Sequence, residues 1–164
     1  MLFRSILTCD RDLLSCVSQR VSVILFNSAK KVELVDPDGV ERIYGVAPTL
    51  VPTLKALAGD SSDNIAGLKG IGIKTAAKII TECEPQEGMT IADSICLHPK
   101  VRDNAATFLA NLRLTTIKDD LEVKWLTNST PTADVVKAMF EQYEFGSFLK
   151  ETRFKKILKA LKVS

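Results

Sequence analysis

GDSSDNIAGLKGIGIKTAAKII, residues 59–80, places two acids a few residues ahead of a glycine-flanked turn and a helix start. Gly70 and Gly72 bracket the apolar Ile71. Glycine tolerates positive φ and, lacking a Cβ, lets a phosphate approach the main chain, so amides at the start of a helix beginning near Ile73 are free to point at a backbone oxygen. Lys69, Lys74 and Lys78 surround this point with positive charge. Contacts of this kind touch phosphate and sugar only, which predicts binding that ignores base sequence and weakens with salt. The competing account is a helix–helix turn whose glycines merely allow close packing.

The acids of the same stretch, Asp60 and Asp63, are three apart, so a helical turn would aim both carboxylates the same way. Asp63 alone also suits a helix cap that accepts the amides of Ile65 or Ala66. A second pair, Asp10 and Asp12 in TCDRDL, follows a predicted strand, and loops at the carboxyl ends of parallel strands form the usual ligand crevice of α/β sheets. An N-cap role is the alternative there too. Carboxylates brought about 4 Å apart repel by roughly 4 kcal/mol at an effective dielectric near 20, so if the pairs converge they imply a bound cation.

Composition bounds these readings. With 164 residues, 46% hydrophobic and 26% charged, the chain suits a globular domain with a real core, and disorder is excluded. No apolar run reaches the length of a membrane helix, and residues 1–7 are too short for a signal peptide, which points to the cytoplasm, of a bacterium or a phage-infected host, with no membrane partner. Cys9, Cys16, Cys83 and Cys96 form no C-x-x-C pair and accompany a single His98, so no recognisable zinc pattern exists; His98, followed by Pro99, fits a loop at a helix start. The net charge of +2 announces no polyanion by itself, but from Lys150 onward six cations oppose only Glu151. With Phe154, Ile157, Leu158 and Leu161 at helical spacing, residues 150–164 form a basic amphipathic helix, a solvated surface element or a phosphate contact.

Along the chain, FRSILT and VSVILF are predicted strands around a short helix through Val17, a βαβ-like unit with sheet material missing beside it. KKVELVDPDGVERIYGV is either a hairpin or a strand followed by a helix. The helix is favoured, with Asp36 as N-cap, Pro37 first and Gly45 beyond its end, because Val40, Ile43 and Tyr44 recur three and four apart. Further helices are expected to Ala58 with Gly59 closing, over IKTAAKIITE, over PKVRDNAATFLANLRLTTI as one long element, over TADVVKAMFEQYEF and in the terminal segment; LEVKW reads as extended. Val135, Val136, Met139, Phe140 and Tyr143 form a stripe expected to be core.

Taken together, ILTCDRDLLS, YGVAPTLVPTLKALAGDSSDNIAGLKGIGIKTAAKII, NLRLTTIKDDLEV and QYEFGSFL resemble, in order and spacing, the C-terminal half of the 5'-3' exonuclease domain of bacterial DNA polymerase I and its phage relatives, in the flap endonuclease family. The resemblance spans about Arg4 to Leu149. It implies a mainly α fold, a helix-hairpin-helix (helix-three-turn-helix, SAM-like) domain preceded by a truncated α/β, PIN-like sheet remnant. Segments 1–47, 48–149 and 150–164 are then the partial nuclease sheet, the DNA-binding domain and the basic helix. The family's T-A-D-K-D motif falls on Thr8–Asp12 and its G-D-x-x-D-N motif on Gly59–Asn64, implying that Asp10, Asp12, Asp60 and Asp63 are catalytic ligands of Mg2+ or Mn2+. Cys9 and Arg11 depart from the family's usual Ala and Lys. The hairpin, Ala66 to Ile80, implies duplex DNA contacts by Lys69, Gly70, Ile71, Gly72, Lys74, Thr75 and Lys78, with K+ held by carbonyls.

Family members carry further acids and a basic arch in an N-terminal half that is not among these residues. Three functions follow as expectations. The chain is the DNA-binding, partly metal-binding half of a nuclease acting on duplex, nicked or 5'-flap DNA with a separate N-terminal half; or it is a non-catalytic, structure-specific DNA-binding module; or it is a fragment of a split nuclease gene.

Overall fold

The computed structural model describes residues 4–28, 31–85, 87–122 and 131–160. Strands β1 (Arg4–Thr8) and β2 (Val21–Ser28) run parallel, and β3 (Lys31–Val35) pairs antiparallel with the other edge of β2. The element joining β1 to β2 is a 3-10 turn, Asp12–Cys16, shorter than the expected helix. Alternation along the strands sends Val23, Leu25 and Val35 into a core shared with Leu14, Val40, Leu54 and Leu57. On the opposite face Leu7, Ile24 and Leu34 stand side by side across the three strands and Phe26 lies opposite Val32. That row is open: Leu7 is 68% exposed, Leu34 65% and Val32 65%.

The β3-then-helix alternative is the one adopted. Helix α1 (Pro37–Tyr44) starts on Asp36, whose carboxylate accepts the Gly39 amide at 2.8 Å, and stops at Gly45 with φ 72°. A 3-10 turn at Pro48–Leu50 leads into α2 (Val51–Ala58), then comes a two-stranded ribbon of β4 (Gly59–Asp60) and β5 (Ile65–Ala66), then α3 (Ile73–Glu82). Helix α4 (Ile91–Leu97) is not anticipated above, although Thr90 and Asp93 form a reciprocal capping box that marks its start. The long helix expected from Pro99 begins only at α5 (Ala105–Thr115). Before it, the amides of Val101 and Arg102 both turn back onto the His98 carbonyl, which carries Val101 fully into the core. His98 is therefore the residue that ends α4 and opens this turn.

Contacts divide the chain into two compact units, Met1–Asp119 and Asp120–Ser164. The boundary at 47/48 expected from the resemblance falls inside the first unit because the sheet, α2 and α3 share one core. That at 149/150 falls inside the second, where Phe140 of α6 (Ala133–Gln142) and Phe154 of α7 (Glu151–Ala160) have ring centroids 6.3 Å apart. Of the α6 stripe only Val136 and Phe140 are buried; Val135, Met139 and Tyr143 are exposed, so it is half core and half surface. The extended stretch expected at 121–125 lies outside the described residues beyond Glu122, as does the basic helix beyond Ala160. Among the described residues no helix is long and apolar enough to cross a membrane.

Candidate functional site

Three of the four predicted acids meet. Asp12, Asp60 and Asp63 each offer a carboxylate oxygen, all within 4.8 Å of one another. They lie in a cleft of about 570 Å³ that is also lined by Asp10, Tyr44, Lys55 and Ile73. Asp12 is delivered by the 3-10 turn at the carboxyl end of β1, and Asp60 and Asp63 by the turn that closes the β4–β5 ribbon. No helix aims the latter pair, as the three-residue spacing suggested. Asp60 binds the amide of Ser62 at 2.9 Å, the Ser62 hydroxyl donates to the same oxygen, and Asn64 takes φ 57°, which folds Asp63 back toward Asp12. Asp63 caps no helix.

Asp10 occupies a different place. Its carboxylate accepts the Asp12 amide at 2.9 Å, so it pins the turn that presents Asp12 while still lining the cleft.

Lys55, which composition offers no reason to single out, sits at the centre of the cluster. Only 9% exposed, it reaches from α2 and donates one hydrogen bond to Asp12 and another to Asp60 at 2.6 Å. Burial works against its charge, but the hydrogen bonds and charges of Asp12 and Asp60 prevail and raise its pKa. The Lys55 hydrogen bond, the Ser62 hydroxyl and amide, and the Lys55 charge hold the Asp60 carboxyl down to about 2 against the opposing effect of burial. Asp63 is shifted the other way, upward, first by the charge of Asp12 and then by desolvation and Asp60. The ammonium thus stands where a cluster of carboxylates demands positive charge.

Two outcomes follow for the metal-free protein. Lys55→Met should cost about 2 kcal/mol, less than a fully buried pair because Asp12 remains 31% exposed, since it leaves two carboxylates without their counter-charge. Manganese should then raise the melting temperature of the variant more than that of the parent; an equal rise would separate Lys55 from the cation-demanding field. The depressed Asp60 carboxyl contributes stability that is complete above pH about 4 and lost as pH falls through about 2. Acid unfolding of Asp60→Asn should lack that component, which a pH series of melting temperatures reads directly.

A second buried polar residue braces the turn from below. Asn111 of α5 donates from Nδ2 to the Ala56 carbonyl at 3.0 Å and the Ala66 carbonyl at 2.8 Å, tying the end of α2 to β5.

The glycine hairpin lies at the surface. Leu68 and Ile71 are buried, and the Leu68 amide bonds the Leu57 carbonyl at 2.9 Å, so the apolar residues anchor the bend to α2. Gly70 has φ 78°, and a Cβ at Gly70 or Gly72 would meet nothing within 4 Å. Gly72 is the N-cap of α3 and supplies no side chain, leaving the first amides of the helix without an intrahelical partner. Lys69, Lys74 and Lys78 are exposed around it, Thr75 is half-buried, and Ile73, the first residue of α3, lines the acidic cleft. The cleft thus runs from the carboxylates to the start of the helix behind the hairpin.

A family model described as 5'-3' exonuclease, C-terminal SAM fold, matches residues 46–137, more than half of the chain. The chain belongs to this family. Among curated proteins it is 36% identical over 156 residues to the thermostable DNA polymerase I of Thermus filiformis, 36% over 152 residues to that of a Thermus thermophilus strain, and 32% over 151 residues to DNA polymerase I of Bacillus caldotenax. These alignments cover 87–89% of this chain but only 17–18% of the polymerases. Among solved structures it shares its fold with bacteriophage T5 5'-exonuclease with divalent zinc ions bound (TM-score 0.55, 24% identity). The same holds for a T5 flap endonuclease in a pseudo-enzyme-product complex with DNA and metal ions (TM-score 0.55, 23% identity). Each match covers 68% of this chain and 42% of the phage chain.

Proposed function

We propose that this chain is the DNA-binding and partly metal-binding portion of a divalent-metal-dependent 5' nuclease acting on duplex, nicked or 5'-flap DNA. The observation that carries the proposal is the convergence of Asp12, Asp60 and Asp63, from segments far apart in sequence, in a cleft that ends at an open helix start. An all-oxygen, carboxylate donor set suits a hard cation such as Mg2+ or Mn2+. Asp12, Asp60 and Asp63 would hold it, with Asp10 fixing the Asp12 turn. Bound there, the ion supplies Lewis acidity, lowering the pKa of water and offsetting charge on the scissile phosphate. Three carboxylates are too few for the pair of ions such hydrolysis uses, so further acids must come from elsewhere.

The row of exposed Leu7 and Leu34 on either side of half-buried Ile24 supports the same reading. A parallel pair of strands belongs in a sheet covered on both faces, and this face offers an apolar bed for an N-terminal half of the nuclease domain, whether continuous with this chain or separate. The hairpin would bind the duplex through the amides following Gly72 and the charges of Lys69, Lys74 and Lys78, with Gly70 and Ile71 shaping the bend and Thr75 flanking it; its carbonyls would hold K+, if that ion binds, and so offset phosphate charge. Such binding tracks phosphates and weakens steeply with salt.

The Lys55 ammonium is the observation behind one alternative, a non-catalytic DNA-binding module, because it already offsets part of the cluster's charge without a metal ion. Supplying the N-terminal half of a relative's nuclease domain with Mg2+ or Mn2+ separates the two. Cleavage of a labelled 5'-flap is the expected result, and salt-sensitive binding without cleavage in that mixture would establish the module instead.

A further inference from the structure

The second unit carries a ring cluster that core packing does not account for. Phe140 is its buried centre, with ring centroids 6.1 Å from Phe145, 5.4 Å from Phe148 and 6.3 Å from Phe154. Three rings around it stay open: Tyr143 is 60% exposed, Phe145 46% and Phe148 37%. Phe145 lies 5.8 Å from Phe148 and 6.3 Å from Tyr143, so each exposed ring is steadied by a neighbour and has little freedom left to lose on binding. Cations frame the cluster. The Arg153 guanidinium lies 5.6 Å from the Phe148 centroid, and among the described residues neither Lys150 nor Lys156 pairs with a carboxylate.

We propose that this surface binds single-stranded nucleic acid, with bases stacked on Tyr143, Phe145 and Phe148 and phosphates held by Lys150, Arg153 and Lys156. Charge complementarity selects the occupant. An apolar protein surface would leave those cations unpaired, whereas a polyanion with flat apolar bases satisfies rings and cations together. A duplex keeps its base faces stacked inside and offers nothing to the rings. An anionic membrane fits less well, since Phe154, Ile157 and Leu158 of α7 are partly buried and leave no open apolar face on that helix for insertion. The inference rests on the nuclease proposal for its biological setting, a strand displaced at a flap, but it uses none of the hairpin residues and can fail by itself.

Fluorescence anisotropy of the whole chain with labelled oligothymidylate, an abasic strand of equal length and a blunt duplex tests it, with anionic phospholipid vesicles as competitor. Tyr143→Ala should weaken oligothymidylate binding by about fivefold or more and leave duplex binding unchanged. Phe145→Leu, which keeps an apolar side chain in the cluster, should act in the same direction, and Lys156→Ala should reduce the salt dependence of single-strand binding. Equal affinity for abasic and thymidine strands, unaltered binding by both ring variants, or displacement of the strand by vesicles at lower concentrations than by unlabelled strand would overturn the proposal. Gly70 and Gly72 variants should keep strand binding even where they lose duplex binding, and loss of strand binding in them would count against this surface.

Discussion

Asp60→Asn is expected to abolish metal-dependent flap cleavage by the completed nuclease, lowering the rate at least ~1,000-fold, about 4 kcal/mol of transition-state stabilisation. Asp60 is the pivot of the cluster: one oxygen accepts Ser62 and the other faces Lys55, within reach of Asp12 and Asp63. An amide keeps the shape and the Ser62 bond while removing the charge that a hard cation requires. Duplex binding should stay within about twofold, because the phosphate contacts proposed for the hairpin would make no use of Asp60. Paired measurements of cleavage and band-shift affinity check this division, and loss of both together would contradict it.

Gly67→Ala carries the second large effect, and it acts through the backbone. A Cβ at Gly67 would lie 2.2 Å from the Ala58 carbonyl oxygen, and one at Gly59 would lie 2.4 Å from the Gly67 amide nitrogen. Gly59 also has φ 84° with ψ 168°, a conformation open to glycine almost alone. The two glycines let the ends of the β4–β5 ribbon touch, which is what sets Asp60 beside α2. Gly67→Ala should therefore cost at least about 3 kcal/mol, by forcing main chain apart where nothing flexible can yield. Denaturant titration reads the loss. Gly70→Ala offers the contrast, since its cost is confined to the positive φ of an open turn, about 1 kcal/mol.

Local signals carry most of the fold. Asp36, Pro37 and Gly45 announce α1 because a cap and a stop are decided within a few residues. Gly59 and the two acid pairs are legible as motifs, and three of the four acids meet, whereas the close approach that requires Gly67 shows only in the fold. What escapes is set by long-range contact. Lys55 reads as an ordinary helix lysine, and nothing near it reveals that Asp12, 43 residues away, will share its ammonium. Asn111 is likewise defined by carbonyls 55 and 45 residues away. The α6 stripe shows the opposite limit: periodicity identifies a face, yet whether Val135, Met139 and Tyr143 are covered depends on what packs there. Helix α4 is hard to see although its capping box is local, because IADSICL is short and its apolar spacing weak.

Crystals of the protein equilibrated with manganese, with data collected at the manganese absorption edge, give the most direct answer. Anomalous density among the carboxylates of Asp12, Asp60 and Asp63, with the Lys55 ammonium moved away from at least one of them, is the expected result. Lys55 unmoved between Asp12 and Asp60, with no anomalous density in the cleft at millimolar manganese, would contradict the assignment of this cluster as a metal centre.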